Sequence, residues 1–92
     1  MTAHNERVLD AGEQELVRQA ENPSVLKTSE LTELARLLRE RRDRVQRMIR
    51  ERARDAKERG EHQPDAGARE KEAALVDALQ RIEAALEVRE KG

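Results

Sequence analysis

The chain has no cysteine and no aromatic residue, only two prolines and four scattered glycines, and no apolar run longer than the four residues AALV at 73–76. Each shortage excludes something. Without cysteine there is neither a disulfide framework nor a thiolate metal site. Without Phe, Tyr or Trp there is no platform on which the bases of a single strand could stack. A β-sheet, which favours aromatic and β-branched side chains, is disfavoured for the same reason. A bilayer span needs ~20 consecutive apolar residues, and none is present. The N-terminal stretch MTAHNERVLDAGEQ is polar and has no signal-peptide core, so the expectation is a soluble, cytoplasmic protein. No glycine-rich phosphate loop can be assembled from glycines placed so far apart.

What remains is aliphatic and charged. Leu, Ile, Val and Met number 20 and Ala 13 in a chain of 92 residues, while charged residues make up 42% with a net charge of −1. Such balanced charge is unlike a disordered chain, which combines low hydrophobicity with a large net charge. A core of aliphatic side chains and alanine suits helices packed at close range, and the length allows one small domain, residues 1–92.

Two punctuation points divide it. ENPSVLKTSE contains an Asn-Pro step that no helix interior accepts, followed by hydroxyl residues suited to capping the next helix. ERGEHQPDAG supplies Gly60 as a helix end and Pro64 with Asp65 as a restart. The expected helices are 5–21, 29–59 and 65–90. The first carries Val8, Leu9, Leu16 and Ala20 on one stripe. On the second the seam is Leu31, Leu34, Leu38, Val45 and Ile49, and on the third Leu75, Leu79, Ile82 and Leu86 at alternating three- and four-residue steps. Short connections make neighbouring helices antiparallel. The expected fold is therefore all-α: a hairpin of two long helices with a shorter N-terminal helix packed on it, a coiled-coil-like three-helix bundle. Its far end, offering only Ala53 and Ala56 on the second helix, should be thin and packed through alanine.

Charge is segregated. Residues 1–35 carry 3 basic and 7 acidic side chains, residues 36–59 carry 11 and 5, and residues 60–92 carry 5 and 8. Arg41, Arg42, Arg52 and Arg59 border the apolar stripe, where their stems can cover the seam and their heads can reach acids such as Glu72, Glu83 or Glu87. Arg36, Arg39, Arg47, Arg50, Arg54 and Lys57 fall within roughly 80° of one another on the far side of the helix. These six form a candidate strip for an anionic partner. Glu40–Arg44 and Asp43–Arg47 are expected as intrahelical pairs.

Catalytic signals are nearly absent. Ser24 and Ser29 fit capping roles. His4 lies near the terminus, and His62 with Glu61 and Asp65 makes too sparse a set for a metal site. No catalytic residue, cofactor, metal or small-molecule substrate is expected.

Two resemblances bear on partners. Ala35, Leu38, Val45 and Met48 in LARLLRERRDRVQRMIRE have the spacing of buried positions in a helix-turn-helix, and the stretch resembles that family's pattern. The resemblance implies that Arg41, Arg42, Arg44 and Arg47 open a recognition helix in the major groove. Here Arg39 stands where the family's turn glycine would be, and Glu40 where its apolar turn residue would be. DALQRIEAALEVREKG is similar to the helix before the zinc finger in proteins of the DksA/TraR type, whose helical hairpin enters RNA polymerase. The finger's cysteines are missing, and that family is not assigned. The leading expectation is a non-catalytic helical protein–protein interaction module: an adaptor, assembly subunit or small regulator, acting with a protein partner or as a homo-oligomer. The alternative is a DNA-binding or DNA-associated regulator using the Arg-rich second helix. A membrane partner is not expected, because no aromatic or strongly apolar face lies opposite the basic one to insert.

Overall fold

A computed structural model of the chain describes residues 8–60 and 65–91. Among these residues are three α-helices and no strand: α1 (Ala11–Gln19), α2 (Thr28–Glu58) and α3 (Ala66–Lys91). One turn of 3-10 helix, Pro23–Val25, lies between α1 and α2. The two long helices pack against each other as a hairpin, and α1 touches both.

The first helix starts later than the apolar spacing indicates. Residues 5–7 lie outside the described residues, and Val8 is helical, but the backbone leaves the helix at Leu9 and Asp10. A capping box causes the break. Asp10 Oδ1 accepts the Glu13 N–H at 2.8 Å, and Glu13 Oε1 accepts the Asp10 N–H at 2.9 Å. The two bonds satisfy donors that a helix start otherwise leaves orphaned.

α2 starts from Lys27 rather than from a hydroxyl cap. The Glu30 carboxylate reaches back to the Lys27 N–H at 2.8 Å. The hydroxyl residues serve elsewhere: Thr28 Oγ1 accepts from Arg89 of α3 at 3.3 Å, and Ser24 donates to Asn22 Oδ1 at 2.9 Å. From Thr28 the helix continues unbroken for 31 residues, passing through Arg39, Glu40 and Arg41 without a turn. Every residue there is a good helix former, and nothing supplies the left-handed conformation a turn would need. α2 ends at Glu58, and the chain leaves it through Gly60, whose φ of +73° is natural for glycine and strained for other residues.

The core lies at one end of the hairpin. Leu31, Leu38, Leu75, Leu79 and Ile82 are fully enclosed, with Leu34, Ala35, Val45 and Ala78 beside them. Burying each such leucine or isoleucine contributes about 1.5–3 kcal/mol. Ile49 and Leu86, at the ends of the seam, are partly buried against the same cluster. Leu16 of α1 and Ala20, just past its end, join the same cluster between the two long helices. Past Val45 the core thins. Of α2 residues 50–60, only Ala56 is even half-buried. The molecule is correspondingly elongated, 53 × 26 × 16 Å, with a radius of gyration of 15.2 Å. A compact chain of this length would have a radius near ~12 Å.

Candidate interaction surface

Most cationic side chains on the leucine-bearing half have carboxylate partners inside the chain. Arg36 bridges Glu33 at 2.6 Å and Glu40 at 2.7 Å, so Glu40 serves Arg36 and not Arg44. Arg39 crosses to α3 and meets Glu83 at 3.1 Å. Arg42 folds onto its neighbour Asp43 at 2.9 Å, which leaves Arg47 without that acid. Arg52 reaches Asp65 at the start of α3 at 2.9 Å. Arg41 turns to α1, toward Asp10 and Glu13, rather than to the acids of α3.

The six-residue strip therefore divides. Arg36 and Arg39 are neutralised within the chain. Arg47, Arg50, Arg54 and Lys57 are exposed, and none forms an ion pair with a described residue. Arg44 joins this second group, because the acid four residues before it is taken by Arg36. Spaced three, four and three residues apart, Arg47, Arg50, Arg54 and Lys57 make one line about 15 Å long. A stripe of carboxylates, Glu51 and Glu58, runs alongside.

A second group of charges, missed in the apolar patterning, fixes α1. Glu13 is 4% exposed, the one buried charged residue among those described. Lys71 of α3 lies 3.0 Å from its carboxylate and Arg41 of α2 3.8 Å. One side chain thus ties α1 to both long helices while also closing the capping box. The D-x-x-E signature at 10–13 was visible in the sequence, but Lys71 as partner depends on how α3 is rotated. The Asp10 carboxyl is held below its ordinary value, first by the Glu13 N–H and then by Arg41 and Lys71. Asp65 is lowered chiefly by Arg52, with help from the Ala68 N–H. Glu15 is held down to about 2 by Arg18.

On the other side of the hairpin runs an uncovered groove of about 400 Å³, lined by Gln46, Ile49 and Arg50 of α2 and by Arg69 and Glu72 of α3. Arg69 is two residues from Lys71, about 200° round α3, so it faces away from α1. Gln46 is likewise about 140° from Arg41 on α2. A depression on the α1 side, between Val8, Met48, Arg52, Asp65 and Lys71, has its cations already matched by Asp65 and Glu13.

Glu61, His62 and Pro64, and likewise His4, lie outside the described residues. Among the described residues no group of three His, Cys, Asp or Glu is placed to hold a metal ion. No described helix is long and apolar enough to cross a membrane. No protein-family model, curated protein or solved structure matches the chain.

Proposed function

We propose that the chain is a non-catalytic helical interaction module that docks an acidic protein partner through the outward face of the far half of α2. One observation carries this reading: Arg44, Arg47, Arg50, Arg54 and Lys57 stand exposed without a carboxylate partner among the described residues, in a chain that pairs most of its other arginines. Holding cations in a row on one rigid helix creates a local positive field that speeds and orients encounter with a negative surface. The leucine seam supports the same assignment indirectly. Its central residues Leu31, Leu38, Leu75, Leu79 and Ile82 are buried within the chain, while the charged face of the far half of α2 stays exposed.

The interleaved carboxylates favour protein over nucleic acid. Asp43, Glu51, Asp55 and Glu58 sit within or beside the strip and would repel a continuous phosphate backbone, whereas a protein surface can offer cations to them. The unbroken path through Arg39 and Glu40 also removes the turn on which a helix-turn-helix depends.

Fluorescence anisotropy with labelled poly-L-glutamate and with a labelled DNA duplex tests the reading. The expected result is binding of poly-L-glutamate at low salt that weakens as salt rises and is lost in R47Q/R50Q/R54Q/K57Q. Absence of binding to either polymer at low salt would overturn the assignment. Tighter binding to the duplex would move it to the DNA-associated class.

A further inference from the structure

We infer that the partner element is an acidic α-helix seated in the groove between α2 and α3 on the side opposite α1, held between Arg50 and Arg69. The inference rests on the interaction-module reading and adds where the partner lies and what shape it has.

Three observations converge on the groove. Its walls are two antiparallel helices, and on the opposite face the same pair already seats a helix, α1, in the equivalent valley. Helices pack into such valleys at interaxial separations of about 8–10 Å. The rims are cationic from both sides: Arg50 on α2 and Arg69 on α3 are exposed, and neither pairs with a described residue. The floor between them contains Ile49, half-buried, with Val76 half-buried one turn further along α3 from Glu72. A partner helix would therefore show glutamates or aspartates at three- and four-residue spacing, facing both arginines. Beside them it would carry a small or aliphatic residue over Ile49. Glu72 is the one carboxylate among the lining residues, and it has no ion pair with a described residue. A lysine or arginine on the incoming helix, one turn from its acidic row, satisfies it. This mixed pattern is the complement of a helix surface and not of a uniform polyanion.

The probe is a capped peptide of about 20 residues, long enough to hold helix in water. It is built from Ala, Leu, Glu and Lys with the spacing just described. Its control has the same charges and a central proline. Titration into isotope-labelled protein, followed by amide chemical shifts, should move Gln46, Ile49, Arg50, Arg69 and Val76 together, with the proline peptide binding more weakly. R69Q lies outside the α2 strip and should weaken the helical peptide roughly three- to fivefold while leaving poly-L-glutamate binding unchanged. Shifts confined to Arg47, Arg54 and Lys57, or an R69Q variant that binds the peptide normally, would overturn the groove inference and leave the strip reading standing. Failure of every anionic probe at low salt would remove both.

Discussion

Glu13 is the residue on which the three-helix junction turns. Its carboxylate is enclosed, and removing the charge leaves Lys71 facing it with no counterion at 3.0 Å. Glu13→Gln keeps the shape and the bond to the Asp10 N–H, so it isolates the charge. The expected cost in urea unfolding is about 1–3 kcal/mol, and a midpoint equal to that of the parent would refute the clamp. Asp10→Ala removes the cap together with the exposed contact to Arg41 and should cost about 1 kcal/mol. pH acts on Asp10 at this corner and on two carboxyls outside it. The carboxyls of Asp10, Asp65 and Glu15 titrate lower in the folded chain than in the unfolded one, so they contribute stability above the ordinary carboxylate range. That contribution is lost as pH falls through the folded values, reaching about 2 for Glu15. Thermal melts followed by circular dichroism should therefore drop in midpoint below about pH 4.5, and D10N should show a shallower drop than the parent.

At the scale of the element, α2 decides the architecture, and it was legible. A seam of Leu31, Leu34, Leu38 and Val45 at helical spacing, with Arg39, Glu40, Arg41 and Arg42 in place of turn residues, leaves one continuous helix as the economical solution. Leu38→Ala should cost about 2–5 kcal/mol, because the leucine is fully enclosed and the groove around it is lined by three helices. Gly60→Ala meets no neighbour, yet its positive φ makes about 1 kcal/mol of destabilisation the expected reading from the same urea curves. The start of α1 was less legible. Val8, Leu9 and Leu16 read as one stripe, and that periodicity masked the D-A-G-E cap, which wins because it satisfies two backbone donors locally. Ion-pair partners were the least legible. Arg42 takes its sequence neighbour Asp43, and Arg39 takes Glu83 across the hairpin, since long side chains choose among several acids whose distances are set only after the helices pack.

For the whole molecule, the main fact is that apolar burial and unmatched positive charge occupy different ends of one rod. Leu31, Leu34 and Leu38 lie with Leu79 and Ile82, and past Ile49 every residue of α2 but Ala56 is exposed. Raising salt should consequently weaken poly-L-glutamate binding steeply while moving the thermal midpoint only slightly. A large parallel loss of stability would mean that the cations are structural after all. Because α1 locks the leucine half through Glu13, Leu16 and Ala20, a substitution at Arg47, Arg54 or Lys57 changes no buried neighbour. The two halves can thus drift independently: the cationic half can be rewritten for a new counterpart, by chance or by an engineer, with the scaffold that presents it left as it is.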